Sequence, residues 1–200
     1  MNATRPLVFT IILLLLTPAA WVQAAQTSNQ TPTQTLQQAV DGLLAIVVDE
    51  DMSSEQKRVK MTAIVDEYAD FRAMSQRIVA TDWRKAETED KDEFIGLFSQ
   101  VVVNTYYGLL DKYSGESVEY LEEEIRRDKY AVVDTHILSQ GKKIPVKFRM
   151  IKRAEGWRIY DYVVEGISLV SSYNSSYKPI LRRGGLKALN ESLTQELASN

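Results

Sequence analysis

Two acid-containing pairs in this chain have the residue types that proton-transfer chemistry requires. Tyr160 and Asp161 lie in the run Gly156-Trp-Arg-Ile-Tyr-Asp-Tyr-Val-Val-Glu-Gly-Ile-Ser-Leu-Val170. In a cone-shaped α+β domain with a curved sheet, an acid inside an apolar pocket has a raised pKa and can act as a base. The competing and favoured reading makes Asp161 the acceptor for a backbone amide or for an arginine such as Arg149 or Arg182, since buried polar groups are normally partnered. Asp134 and His136 form the second pair. Two residues apart on a strand they share a face. No nucleophile is marked beside them, however, and nucleophilic catalysis needs a base oriented by a third group. His136 therefore reads as a solvated or hydrogen-bonded strand residue. Metal chemistry lacks ligands, because His136 is the only histidine and there is no cysteine.

Composition narrows the classes further. The chain has 24 Lys+Arg against 27 Asp+Glu, a formal charge of −3, and no basic block. Nucleic acid is a poor partner for such a surface, since phosphate neutralisation needs clustered cations. The first 24 residues read as a secretory signal. Arg5 supplies the positive region, Leu7 to Leu16 the apolar region and Val22-Gln23-Ala24 the cleavage site. That apolar run is too short for a span of about 20 residues. No cysteine comes after it, so lipid anchoring of the mature chain is not expected. The expected product is an exported, soluble chain of about 175 residues without disulfides. A domain of that size buries roughly 70% of its unfolded surface and can manage without them.

The elements that must position these groups are set by periodicity. Residues 25–35 are polar and read as a flexible mature N-terminus, and 36–197 as one domain. Its helical half is 36–113. Pro32 to Val48 shows helical spacing, Ser53 and Gln56 form a capping box for a second helix, Phe71 to Val79 makes a third, and Thr88 to Tyr113 is the longest. The sheet occupies 117–166 as four strands. Gln140-Gly141 is a hairpin turn, and short connections imply antiparallel pairing. Gly166 ends the last strand, and Ser168 can cap the helix after it. C-terminal helices fill 171–197, with Gly184 as a C-cap. Pro179 conflicts with that helix, so it either starts near Lys178 or kinks. The fold expected is α+β: a twisted four-stranded antiparallel sheet packed against several helices and enclosing an apolar pocket.

The apolar residues admit two readings. Phe71, Phe94, Phe98, Tyr106, Phe148, Met150, Trp157 and Tyr162 are most simply core. Apolar faces on nearly every element of a modest domain equally suit a cavity lined for an apolar ligand. Residue patterns alone leave both open.

A resemblance bears on the choice. The order Trp157, Tyr160-Asp161, Glu165-Gly166-Ile167-Ser168 and Leu181-Arg-Arg-Gly-Gly-Leu186 resembles the periplasmic phospholipid-binding proteins of the lipid-asymmetry (Mla) pathway, the MlaC or toluene-tolerance family. The likeness spans residues 65–197. It includes Asp70-Phe71 with Met74-Ser75 and Val79, Trp83-Arg84 with Ala86, and the helix from Phe94 to Tyr107. Pro179 departs from the family pattern. The resemblance implies a monomeric, non-enzymatic carrier in a Gram-negative periplasm that maintains outer-membrane lipid asymmetry, with phospholipid as cargo and no cofactor. It implies partners in an inner-membrane ABC transporter complex and an outer-membrane lipoprotein–porin complex.

The pocket it implies is placed where apolar faces would meet. From the helices come Phe71, Leu97, Val101 and Tyr106. The sheet supplies Val132, Phe148, Met150 and Tyr160, and the corner beyond it Val164, Ile167 and Leu169. Arg182 and Arg183 are expected near the mouth or a docking surface, or simply as charges favoured at a helix C-terminus. Two other classes stay open: a curved-sheet enzyme using Asp161 and Tyr160, and a periplasmic chaperone or adaptor with an apolar groove.

Overall fold

The computed structural model describes residues 30–199 apart from 111, 112 and 114, and only the backbone of 106, 109 and 110. The expected signal peptide, 1–24, lies outside the described residues. Helix α1 (Pro32–Val47) starts inside the segment expected to be flexible. Thr31 Oγ1 accepts from Gln34 N at 3.2 Å, and Gln34 Oε1 accepts from Thr31 N at 3.0 Å. With proline at the first helical position, this capping box makes residues 32–35 the first turn, and Thr35 is buried. The start matches the helix read from Pro32 to Val48.

Helix α2 (Ser54–Tyr68) opens on the expected Ser53–Gln56 box. Helix α3 (Phe71–Val79) is capped by Asp70, whose carboxylate accepts from Ala73 N at 2.7 Å and pairs with Arg153 at 2.6 Å. A 3₁₀ turn (Asp82–Arg84) leads to α4 (Thr88–Leu110), which ends short of the expected Tyr113. The main core lies between α3, α4 and the C-terminal helix. Phe94 and Phe98 are fully buried and stacked at 5.8 Å, with Phe71, Tyr173 and Tyr177 edge-on around them. Such pairs contribute about 0.5–1.5 kcal/mol each beyond area burial.

The sheet is an antiparallel meander in the order β1 (Ser117–Arg126), β2 (Tyr130–Ser139), β3 (Lys142–Arg153), β4 (Gly156–Val164) and β5 (Ile167–Ser168). It has five strands, not the four expected. Glu165 (φ 48°) and Gly166 (φ 85°) do not end the sheet but form a two-residue turn with both φ positive. The turn folds the chain back so that Val164 pairs with Ile167 and Val163 with Ser168. Arg127-Asp128 and Gln140-Gly141 adopt the same positive-φ geometry at two other hairpins.

Register assigns the two faces. Ala131, Val133 and Thr135 share one face with Met150, Phe148 and Val146, and with Tyr162 and Val164. Helix α1 covers part of that face, where Leu36 packs with Ala131, Val133, Met150 and Trp157. Glu123, in the same row, accepts from Thr33 N at 2.8 Å and Thr33 Oγ1 at 2.6 Å, which fixes the start of α1 on the sheet. The other face carries an ion-paired lattice: Asp134–Lys147 at 2.8 Å, Glu119–Lys143 at 2.9 Å and Arg149–Asp161 at 2.9 Å. Hydrogen bonds from Lys143 and His136 hold the Glu119 carboxyl below its usual range.

Helix α5 (Leu169–Ala198) begins at once after β5, two residues before the expected start, with Ser168 Oγ accepting from Ser171 N at 3.1 Å. It packs on α3, α4 and β4. Pro179 neither starts nor breaks it. The proline is exposed, so the Ser175 carbonyl that it leaves without an N–H partner can be served by water. The break is at Gly185, with φ 68° and ψ −162°, conformational space essentially reserved for glycine. Gly184, expected as the cap, has another reason for being small: a Cβ there would stand 2.6 Å from Ala188 Cβ.

Candidate functional site

The corner between β4 and α5 is built around Asp161. Its carboxylate is almost fully buried, and both oxygens are occupied. Oδ2 accepts from Ser168 Oγ at 2.7 Å and Arg149 Nη1 at 2.9 Å, while Oδ1 accepts from Val170 N at 3.1 Å. A carboxylate engaged by an arginine, a hydroxyl and a backbone amide is a structural acceptor, in agreement with the favoured reading of the sequence. Tyr160 makes no hydrogen bond to Asp161 among the described residues. It is the bulged residue between Ile159 and Asp161, packs on the helical core, and lies under the Arg77 guanidinium at 4.2 Å. His136 bonds Glu119 at 3.3 Å and not Asp134, which pairs with Lys147. Among the described residues no cluster of His, Cys, Asp and Glu is arranged to hold a metal ion.

Beside this corner lies a cleft of about 440 Å³ lined by Tyr162, Val164, Glu165, Ile167, Leu169, Ser172, Tyr173 and Ser176. This is within the range of ligand sites, roughly 300–1,000 Å³. Its walls are the β4–β5 hairpin and the first two turns of α5, held together by Asp161. Ile167 stands at the rim with 68% of its surface exposed, more than any other large apolar residue described. Tyr162 continues inward to Phe148, ring to ring at 6.4 Å. From there the sheet face runs on through Val133 and Met150. A larger groove of about 640 Å³ between α2, α4 and the end of α5 is lined by the expected pocket residue Val101 with Tyr107 and Leu197, but also by Arg58, Asn104, Thr105 and Glu196. Those polar groups suit acyl chains poorly.

The expected pocket residues divide accordingly. Val164, Ile167 and Leu169 come together in the cleft, and Phe148 adjoins it through Tyr162. Met150 shares that sheet face but is sealed beneath α1. Phe71 and Val101 are buried in the helical core, with Leu97 and Tyr160 packed against it. Val132 points to the opposite, ion-paired face, in register with Arg149 and Glu124, because adjacent strand residues alternate. The side chain of Tyr106 lies outside the described residues. Sequence reading did not place Tyr173, Ser172 and Ser176 at the site. The four-residue spacing of Tyr173 and Tyr177 was the available signal, since it sets aromatic rings along one helix face toward α4. Among the described residues no helix is long and apolar enough to cross a membrane.

Known proteins resemble this chain in sequence and in fold. A family model described as MlaC protein matches residues 37–195. The intermembrane phospholipid transport system binding protein MlaC of Haemophilus influenzae is 21% identical over 201 residues, covering 94% of this chain and 91% of its own. A solved phospholipid-binding protein from Ralstonia solanacearum, in complex with a phospholipid, superposes with a TM-score of 0.74 at 26% identity. The match covers 82% of this chain and 96% of that one.

Proposed function

Because the chain belongs to the MlaC protein family, we propose that it is a phospholipid carrier of the Gram-negative periplasm. It binds lipid without catalysis and moves it between the outer membrane and the inner membrane. The observation that carries this reading is the shared fold with a phospholipid-bound relative, to which the apolar cleft at the β4–α5 corner adds a place for the cargo. In this reading an acyl chain enters past Ile167 and Val164 and lies along the Tyr162–Phe148 face of the sheet. The polar head stays at the rim beside Ser172 and Ser176.

The energetics explain why a carrier is needed. Burying a methylene is worth about 0.8 kcal/mol, so two chains of about fifteen carbons represent on the order of 25 kcal/mol. A free phospholipid cannot cross water at a useful rate. A membrane offers the lipid comparable apolar surroundings, so loading and release are near-balanced exchanges at a docked partner. The partners expected are an inner-membrane ABC transporter complex and an outer-membrane lipoprotein–porin complex, with a cleaved signal peptide directing export.

Organic extraction of the purified protein followed by mass spectrometry tests the reading. Near-stoichiometric phospholipid is expected, and Val164→Glu, which puts a charge into the half-buried cleft wall, should empty it while the protein stays folded. An empty wild-type protein, or undiminished lipid in the folded variant, would refute the assignment.

A further inference from the structure

Between Leu169 and Asn190 the chain carries Lys178, Arg182, Arg183 and Lys187 and no acid, although the protein as a whole is negative by 3. All four cations are exposed, and none has a hydrogen bond or ion pair among the described residues. Unpaired surface cations occur elsewhere in this protein, but here four fall together with no acid among them, unlike Lys143, Lys147 and Arg153, which each have a carboxylate. The stretch also has a buried side and an exposed one. Val170, Tyr177 and Leu181 are buried, while Lys178, Arg182 and Arg183 face out.

One of these cations lies on the cleft side of α5. At about 100° per residue, Ser172, Ser176 and Arg183 fall on one stripe. Arg182 and Lys178 lie about 100° and 140° round the helix from it, across the same exposed arc. Ser172 and Ser176 line the cleft. Arg183 lies seven residues beyond Ser176, about 10 Å along the axis. Helical side chains tilt toward the N-terminus, which brings its guanidinium back toward the opening. The opposite rim is Ile167, 68% exposed. Glu165, at the tip of the same hairpin, is the one acid among the described residues lining the cleft.

We propose that this edge is a docking surface for an anionic phospholipid bilayer, with Lys178, Arg182 and Arg183 among the headgroups and Ile167 entering the interface. Docked this way, the cleft mouth faces the membrane, and a lipid can pass without crossing water. The proposal rests on the carrier reading. An acidic protein would call for the cations alone. An exposed apolar residue at the mouth of an apolar cleft, flanked by unpaired cations, has the two components of peripheral membrane binding.

Sedimentation of the purified mature protein, without the expected signal peptide, with phosphatidylcholine vesicles, with and without phosphatidylglycerol, tests it. Binding is expected only to the anionic vesicles and should fall with salt. Each cation neutralised should weaken it about fivefold, so Lys178→Gln/Arg182→Gln/Arg183→Gln together should lose on the order of a hundredfold. Arg182→Lys/Arg183→Lys should retain binding, and Ile167→Asn should weaken it several-fold without changing its salt dependence. A triple variant that binds like wild type overturns the proposal. So does a wild type that ignores anionic vesicles yet binds polyglutamate through the same cations, which would assign the face to an acidic protein. Lipid extracted from the same preparations keeps the two readings apart. A loaded protein that ignores anionic vesicles overturns the docking surface alone, whereas an empty one overturns the carrier reading.

Discussion

Replacing Asp161 separates a structural acceptor from a reacting group. In Asp161→Ala the Val170 amide, bonded at 3.1 Å and buried, loses its only described acceptor. A buried donor left unsatisfied costs about 1–3 kcal/mol. Arg149 is 43% exposed and can rehydrate, so its lost pair adds less than about 1 kcal/mol. Ser168 still caps α5 through Ser171 N. The expected destabilisation is therefore about 3 kcal/mol. At roughly 2–4 °C per kcal/mol for a domain of this size, Tm should fall by about 6–12 °C. Asp161→Asn keeps an oxygen for Val170 N and should cost only about 1 kcal/mol, mainly the weakened Arg149 and Ser168 contacts. Urea unfolding followed by circular dichroism measures both, with bound phospholipid quantified on the folded fraction. The reasoning fails if Asp161→Ala costs under about 1 kcal/mol. It also fails if Asp161→Asn leaves stability unchanged while abolishing a turnover that the wild type displays, since that result would revive the enzyme reading.

Three further perturbations have definite directions. Gly185→Ala should destabilise by about 1–3 kcal/mol, because φ 68° with ψ −162° is strained for any Cβ; Gly184→Ala should be damaging by contact instead, and Ala188→Gly should rescue it but not Gly185→Ala, as read by thermal melts. Pro179→Ala should stabilise by up to about 3 kcal/mol, since it restores a helical N–H at an exposed position, and a neutral effect in urea unfolding would refute that account. Burial, aided by Asp41, pushes the Tyr120 hydroxyl up to about 12. A raised pKa that favours the neutral form contributes stability present below the unfolded value of 10.0 and lost as pH climbs toward 12, so stability should decline across that window. The decline should be shallower in Tyr120→Phe, and phenolate absorbance during alkaline titration should show one fewer late-titrating tyrosine.

Much of this molecule is written in local pattern. The Ser53–Gln56 box, the 3.6-residue spacing from Phe71 to Val79 and the alternation along β2 and β3 each depend on interactions between near neighbours, and the folded elements match them. Local signals are harder to read at Glu165-Gly166, where a turn resembles a strand end. Residue type points to the Gly184-Gly185 pair for a break in α5, with a final helix after Gly185, and the backbone turns at Gly185; Pro179, also a helix breaker, is accommodated within the helix.

What sequence alone determined is the class of each segment, because caps, turns and periodicity are settled within a few residues. Tertiary structure alone decided which apolar faces close on one another and which stay open. Burying Phe71 and Val101 in the helical core and lining a cleft with Val164 and Ile167 both use the same kinds of apolar side chain, so composition cannot tell them apart. It likewise decided that Val132 faces an ion-paired lattice while Phe148 shares the opposite face with Tyr162, and that Asp161 accepts from Arg149, Ser168 and Val170. Those outcomes depend on register and on partners brought across the sheet, which no window of neighbouring residues contains.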